Sequence, residues 1–215
     1  MENHAHSARI YHNESLANVQ AHNNDLSFCR ITDCSIENHQ MSHSRFNYCR
    51  AVQCQFRDIK MEHCLAENGD YRQCKFNRFF TGTTFLSSNH FSQCQFKGMT
   101  GELSTFGLSV FEKCRLEQSQ LTEVSMIGTN WRNCTFKGEN YHFVRFPSSV
   151  FIDTKFVNCI FKKAIFRKAT FLRCHFDSCQ LPDSVFDRAQ FVETTFENTD
   201  LAEASNLNGV KGLTF

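Results

Sequence analysis

Apolar residues recur at every fifth position along almost the whole chain. The series begins at Tyr11 and reaches Leu201 without an insertion or deletion, and most of the 24 phenylalanines fall in it. A period of five matches neither the repeat of an amphipathic helix nor the alternation of an ordinary strand. A short, fixed repeat is typical of a solenoid, in which each coil packs only on its neighbours.

A second register lies two residues before each apolar centre, and all 12 cysteines of the chain occupy it. Several are separated by multiples of 20 residues, which predicts a single column with one thiol per coil: Cys54, Cys74, Cys94, Cys114 and Cys134. Stacked side chains in a column point in the same direction, whereas a disulfide needs a torsion of about 90° across its sulfur–sulfur bond. We therefore expect buried, reduced thiols. The chain contains no Cys-x2-Cys pair, the spacing that would indicate a zinc site.

The two registers together resemble the pentapeptide-repeat family, whose motif is a small residue, a polar residue, Leu or Phe, a polar residue and any residue. Three stretches match it closely: Cys94-Gln95-Phe96-Lys97-Gly98, Cys134-Thr135-Phe136-Lys137-Gly138 and Thr199-Asp200-Leu201-Ala202-Glu203. The resemblance implies an all-β fold, a right-handed quadrilateral parallel β-helix of about ten coils with roughly 20 residues each. Each pentapeptide forms one side of the coil.

The unbroken frame predicts one domain in the chain of 215 residues. Residues 1–10 are expected to form an N-terminal extension or cap, residues 11–205 the single β-helix and residues 206–215 a C-terminal cap. His4 and His6 could hold a metal ion only weakly, because they are two ligands without a third. Four apolar residues are expected to cover the last coil, or to form a homodimer contact through the C-terminal end, because exposed β edges tend to pair: Leu207, Val210, Leu213 and Phe215.

The predicted core contains aromatic centres and the cysteine column. Its phenylalanines are Phe56, Phe76, Phe96, Phe136, Phe156 and Phe176. Where the centres shrink at Thr81 and Gly101, the residues two places before them grow to Phe79 and Met99. We interpret these four residues as an inverted core patch that keeps the packing volume, or alternatively as a local bulge that shapes a binding surface.

Glu139 and His39 are polar residues in the small-residue register. A buried carboxylate would have a raised pKa, as catalytic acids often do, but burial is costly and we expect Glu139 to turn outward into water. His39 is expected to be hydrogen-bonded or partly exposed. No catalytic triad, phosphate loop or metal motif occurs, and a filled prism would leave no cleft. We therefore predict no enzyme activity, no cofactor and no metal.

Composition excludes several partners. The formal net charge is +1, which gives no overall attraction to nucleic acid. No apolar run is long enough to span a membrane, and the first ten residues are too polar for a secretory signal. Together with the reduced thiols, these features favour a cytoplasmic protein.

Charge along the second half of the chain is uneven. A basic block is followed by an acidic one, and the two blocks are the candidate interaction surface: Lys155, Lys162, Lys163, Arg167, Lys168 and Arg173, then Asp183, Asp187, Glu193 and Glu197. The basic block is suited to an acidic partner, while a solvated face of mixed sign is the alternative interpretation.

The expected function is that of a non-enzymatic protein-binding scaffold. The repeats look similar to those of family members that bind type II topoisomerases such as DNA gyrase and protect them from quinolones or peptide toxins. The chain differs from those members because its frame admits no inserted loop and its tail is short. The alternative is an effector or regulatory module with an unrelated protein partner.

Overall fold

A computed structural model describes residues 8–213 of the chain. His4, His6 and Phe215 lie outside the described residues, as does most of the predicted N-terminal extension. Within residues 8–213, three-residue strands alternate with tight corners, and a single short 3-10 helix spans Leu201–Glu203.

Three parallel sheets form three sides of the solenoid. Sheet A consists of Ile10–His12, Arg30–Thr32, Arg50–Val52, Asp70–Arg72, His90–Ser92, Val110–Glu112, Asn130–Arg132, Val150–Ile152, Thr170–Leu172 and Gln190–Val192. Sheet B consists of Ser15–Ala17, Ser35–Glu37, Gln55–Arg57, Lys75–Asn77, Gln95–Lys97, Arg115–Glu117, Thr135–Lys137, Lys155–Val157, His175–Asp177 and Thr195–Glu197. Sheet C consists of Gln20–His22, Gln40–Ser42, Lys60–Glu62, Phe80–Gly82, Thr100–Glu102, Gln120–Thr122, Asn140–His142 and Ile160–Lys162.

The fourth side, called side D here, is held by isolated bridges rather than strands. One bridge joins each coil to the next, such as Arg145 to Ile165. Before the C-terminal coil the paired residues are 20 positions apart on every side, as Phe136 and Phe156 are in sheet B. The predicted all-β solenoid with four sides and about 20 residues per coil is therefore confirmed.

The corners explain why each side holds only five residues. The residue two places after each centre has a positive φ, for example 56° at Asn13, 55° at Asp33 and 64° at Gly138. Asn, Asp and Gly tolerate this left-handed conformation better than other residues. Their frequency at this position is a second sequence signal for the fold.

The second half of the prism is filled by stacked aromatic rings. Phe136 and Phe156 stack with centroids 4.9 Å apart, and Phe156 and Phe176 with centroids 4.4 Å apart. Rings on adjacent sides meet edge to face, as Phe151 and Phe156 do at 5.5 Å. Both geometries are favourable for aromatic pairs. Phe136, Phe156 and Phe176 are almost completely buried in this part of the prism.

The cysteine column is buried, and no disulfide joins any of the 12 cysteines, all of which lie in the described range. Most of the thiols also have a polar role that the sequence did not reveal. Cys54 Sγ donates to the carbonyl oxygens of Val52 at 3.2 Å and Ile31 at 3.4 Å, and Thr154 makes the same two bonds in its own coil. Burial raises the pKa of Cys174 to about 12, which keeps that thiol protonated and unreactive.

The first half of the prism is not filled, contrary to the prediction. An apolar cavity of about 430 Å³ runs inside the coils from Tyr11 to Phe106. In the coil that begins at Ala51, two of the four inward centres are alanines, Ala51 and Ala66. The coil that begins at Phe151 has phenylalanine at all four centres. The missing rings leave space, so that Phe56 points inward and yet remains partly accessible.

The inverted patch is confirmed as part of the core. Phe79, Thr81 and Met99 are buried, and Phe79 packs edge to face on Phe76 at 5.6 Å. A Cβ atom added to Gly101 would lie 2.6 Å from Thr81 Oγ1. This close approach is why the chain has glycine at that centre.

Glu139 corrects a second expectation, because its side chain is buried with only 1% of its surface exposed. Oε1 accepts a hydrogen bond from the Ser119 amide at 3.3 Å, but Oε2 and the nearby Tyr141 hydroxyl have no partner of good geometry. Burial raises the pKa of Glu139 to about 7. His39 is also buried, and its Nδ1 donates to the Glu37 carbonyl at 2.8 Å.

The C-terminal residues continue the coil with a shifted register. The bridges Val185 to Asn206 and Gln190 to Lys211 join residues 21 positions apart instead of 20, because the 3-10 turn adds one residue. Leu207, Val210 and Leu213 pack against the core. A homodimer contact at this end remains a prediction.

The unequal packing of the two halves makes a testable prediction about stability. Phe136→Ala should lower the free energy of unfolding by about 3–5 kcal/mol, since it empties a filled layer. Phe56→Ala should cost clearly less, because Phe56 already borders the cavity. Thermal and urea unfolding of both variants measure the difference, and equal losses would contradict the assignment of a filled and an unfilled half.

The buried carboxylate predicts a pH dependence of stability. A pKa near 7 in the folded state exceeds the value of 4.5 in the unfolded chain, so folding favours the protonated form. The stabilisation is complete below the unfolded pKa and is lost as pH rises to the folded pKa, by about 3 kcal/mol in total.

Glu139→Gln should remove this dependence and should leave the protein more stable than wild type above neutral pH. Melting temperatures of wild type and Glu139→Gln, recorded from acid to neutral pH, measure this pH dependence of stability. The matched control is Glu102→Gln, at an exposed position. Parallel profiles for wild type and Glu139→Gln would show that the carboxylate is solvated.

Candidate protein-binding surface

Exposed apolar side chains concentrate on side D and its two corners. We call five of them the D patch: Phe85, Leu103, Leu108, Ile127 and Phe143, which are between 40% and 67% exposed. Phe28 and Tyr48 stack on the same edge at 5.0 Å, nearer the N-terminal end. An apolar cluster of this kind, unlike a single exposed leucine, is typical of an interaction site.

The D patch is almost free of charge. Between residues 83 and 128, the outward positions of side D and its corners carry one charged side chain, Glu123. The remaining positions are apolar, small or hydroxylated, such as Thr105, Ser125 and Gly107. A surface depleted of charge at its centre has the composition of the middle of a protein interface.

Two glycines and a hydroxyl contact allow close packing of the side chains on this surface. A Cβ atom at Gly107 would lie 3.4 Å from the Ile127 carbonyl oxygen, and one at Gly128 would lie 3.0 Å from Leu108 Cδ2. The two glycines therefore let neighbouring groups lie close to the coil. Ser87 and Thr105 hydroxyls are 3.4 Å apart and link adjacent coils.

The C-terminal border of the D patch is basic. Lys163 Nζ lies 5.1 Å from the centre of the Phe143 ring, a cation–π arrangement that joins the apolar and basic areas. Arg145 and Lys168 lie exposed in the same and the following coil. An apolar strip with a positive edge is complementary to an apolar partner surface with acidic groups beside it.

The structure separates the basic residues that are clustered in the sequence. Lys162, Lys163, Arg167 and Lys168 lie beside or on side D, whereas Lys155 is in sheet B and Arg173 is at the corner between sheets A and B. Arg173 is paired with Asp153, with Nε and Oδ1 2.7 Å apart. The hydrogen bond from Arg173 lowers the pKa of Asp153.

The acidic residues are divided in the same way. Asp183 and Asp187 lie at side D in the coil after the basic one, and Arg167 pairs with Asp187 at 3.1 Å. Glu193 and Glu197 lie toward sheets A and B, where Glu197 is 3.6 Å from His175. The ten residues of the two blocks thus encircle the prism, and only some of them adjoin the D patch.

Other kinds of site are poorly supported in the part of the chain that the structure describes. Residues 8–213 contain no group of three or more His, Cys, Asp or Glu side chains that could hold a metal ion. The same range contains no helix that is long and apolar enough to cross a membrane. Glu139 is enclosed in the core, so it has no access to a substrate.

Sequence reasoning missed the D patch because its residues are far apart in the chain. Leu103, Leu108 and Ile127 each occupy an ordinary outward position of a different side or coil. A signal was nevertheless present, since sorting outward positions into columns with a 20-residue period shows that side D and its corners carry only one charged residue, Glu123, between residues 83 and 128. The basic and acidic blocks, which are continuous along the chain, were predicted as the interaction surface, but the fold distributes their residues over several sides of the prism.

Comparison with known proteins gives three results. The family model described as the SV2A/B/C luminal domain matches residues 146–211, which is less than a third of the chain. Curated protein sequences give no match.

Solved structures give matches across most of the chain. HetL, a pentapeptide repeat protein involved in heterocyst differentiation regulation in the cyanobacterium Nostoc sp. strain PCC 7120, is 10% identical with a TM-score of 0.56, over 93% of this chain and 91% of HetL. A trypsin-treated variant of QnrB1, described as a plasmid-mediated fluoroquinolone resistance protein, is 18% identical with a TM-score of 0.50, over 68% of this chain and 81% of the QnrB1 chain. ORF18 of Geobacillus virus E2 is 13% identical with a TM-score of 0.53, over 95% of this chain and 47% of ORF18.

At these identities the similarity concerns the fold and leaves activity open. The repeats add their own support, since cysteines and phenylalanines fill the small and large inward positions along the solenoid. The chain therefore has the β-solenoid fold of the pentapeptide-repeat proteins, in a Cys- and Phe-rich form.

Proposed function

We propose that this protein is a non-enzymatic scaffold that binds another protein through the D patch. The observation that carries the proposal is the concentration of exposed apolar side chains on side D, where the outward positions between residues 83 and 128 carry a single charge. The partner surface has an apolar centre and acidic groups that face Arg145, Lys163 and Lys168. Because the β ladder is already ordered, binding costs little conformational entropy in the scaffold.

The most concrete partner is a type II topoisomerase such as DNA gyrase, which the protein would protect from quinolones or peptide toxins. This finer proposal is supported by the fold that the chain shares with QnrB1. An effector or regulatory module with an unrelated protein partner is the second candidate. It is favoured by the near-neutral charge of +1, which gives no duplex-like acidic surface.

The test uses a DNA gyrase supercoiling assay with a fluoroquinolone, across a concentration series of the purified protein. Wild-type protein should restore supercoiling. Leu108→Asp with Ile127→Asp should raise the concentration required by about ten-fold or more, because both substitutions charge the centre of the interface. Melting temperature should stay unchanged, since both side chains are exposed.

Val192→Asp is the matched control, because Val192 is a similarly exposed apolar residue on sheet A. Equal loss of protection in Val192→Asp and the D-patch variant would contradict the assignment to side D. Absence of protection by wild type would eliminate the topoisomerase. A photo-crosslinker placed at Leu108 and, separately, at Val192 would then test the regulatory alternative, which requires a partner that is captured from Leu108 alone.

The basic border predicts an effect on association kinetics. Lys163→Glu should slow binding of the partner and reverse its salt dependence, since the charge steers an acidic surface before contact. Lys155→Glu makes the same charge change on sheet B, and we expect it to leave the rate unaltered. Surface plasmon resonance at two salt concentrations measures both, and equal slowing would indicate net charge rather than a local contact.

A further inference from the structure

We propose that the cavity in the first five coils binds one long, linear acyl chain, with its carboxylate at the N-terminal mouth beside Arg9. This site is separate from the D patch, which faces outward on the opposite surface of the coil wall. The proposal does not depend on the protein-binding function.

The cavity has the volume and lining of a ligand site. Its volume of about 430 Å³ lies within the range of roughly 300–1,000 Å³ that is usual for ligand pockets. Ile31, Met41, Phe46 and Phe56 line it and are partly accessible although they point inward. Their counterparts in the later coils, such as Phe146 and Phe156, are almost completely buried. The accessibility of the early centres therefore comes from the cavity.

The shape of the cavity favours a chain over a compact ligand. The lining extends from Tyr11 in the first coil to Phe106 in the fifth, which is about 19 Å at the strand spacing of about 4.8 Å. One leaflet of a bilayer core, and hence one acyl chain, measures about 15 Å. A volume of about 430 Å³ distributed over this length gives a narrow channel, which suits a single linear chain better than a fused ring system.

The chemistry of the lining requires the polar end of the ligand to remain outside the channel. Almost all lining residues are apolar, and His39 already donates its Nδ1 proton to the Glu37 carbonyl. A carboxylate in the interior would lose hydration without gaining a cationic partner, because Arg9 is the only lysine or arginine in the lining. The carboxylate must therefore lie at the end of the channel.

Arg9 supplies the charge at that end. It lies two residues before Tyr11, in the inward register of the first coil, and it is both exposed and part of the cavity lining. A guanidinium can bind a carboxylate through two parallel hydrogen bonds. Glu14 occupies the same register on the next side of the coil but does not line the cavity. The mouth is thus suited to a fatty acid anion.

Two other occupants are less compatible with the channel. Residues 1–7, Met-Glu-Asn-His-Ala-His-Ser, are mostly polar and would bury charge if they entered. The C-terminal tail of a second copy would bring Lys211 into or beside the apolar lining. The experiment below separates both from an acyl chain.

The test begins with full-length protein from which bound lipid has been removed. A dansyl-labelled undecanoic acid should show a blue-shifted, enhanced emission on binding at one equivalent per chain, and palmitate should displace it. Native mass spectrometry should find one palmitate per chain. Absence of binding, or binding of several equivalents, would overturn the proposal.

The decisive variant fills the channel. Ala51→Phe with Ala66→Phe restores the ring content of the later coils, and a ring at position 51 would extend the stack that Tyr71 and Phe91 form at 5.0 Å. Palmitate binding should fall more than ten-fold and the melting temperature should rise. Ala202→Phe is the matched control, because it adds the same ring at an exposed position. Unchanged binding in the filled variant would overturn the proposal.

Arg9→Glu keeps the test informative if the filled variant does not fold. It should weaken palmitate binding at least five-fold but leave binding of hexadecanol, which has no charge, unaltered. Equal effects on both ligands would contradict the role of Arg9. Binding that appears only after deletion of residues 1–7, or self-association that the filled variant abolishes, would assign the cavity to the chain's own segment or to a second copy.

Discussion

The constraint on which the structure depends is the fixed cross-section of the coil. Parallel ladders hold adjacent coils at one spacing on every side, and a left-handed residue at each corner turns the chain after five residues. Each coil therefore encloses nearly the same space, whatever side chains point into it. Four large inward residues fill that space, as in the coil of Phe151, and smaller ones leave it open, as in the coil of Ala51.

This constraint separates the two halves of the protein. The later coils form continuous aromatic stacks in which Trp131 even satisfies its ring nitrogen, by donating to Thr129 Oγ1 at 2.8 Å. The earlier coils keep the same backbone but enclose a channel. Since a packed interior gains dispersion energy that a void forfeits, the channel weakens the fold locally and at the same time creates a potential binding site.

The outward positions are free of the packing constraint, so that they can vary with function. On side D the outward positions carry exposed apolar groups, with Leu108 and Ile127 at the centre of the D patch and Lys163 at its border. The inward register is also not purely apolar. Cys54 and Thr154 in that register donate to the carbonyl oxygens of Val52 and Ile152, each the last residue of the preceding strand. Glu139 shows that a carboxyl group is accepted there with a raised pKa.

The sequence by itself determined the fold, because a five-residue period along the chain permits few other backbones. It determined which residues point inward, including Phe136, Phe176 and the cysteine column. Tertiary structure decided the features that depend on several residues at once: the combined volume of the inward residues in one coil, and the set of outward residues that share one side. The channel arises because Ala51 and Ala66 belong to one coil. The D patch arises because residues far apart in the chain, such as Leu108 and Ile127, become neighbours across coils, where the Leu108 amide donates to the Ile127 carbonyl oxygen. The side chain of Glu139 points inward because the backbone on both sides of it is fixed, by the positive-φ corner at Gly138 and by the ladder pairing of Asn140.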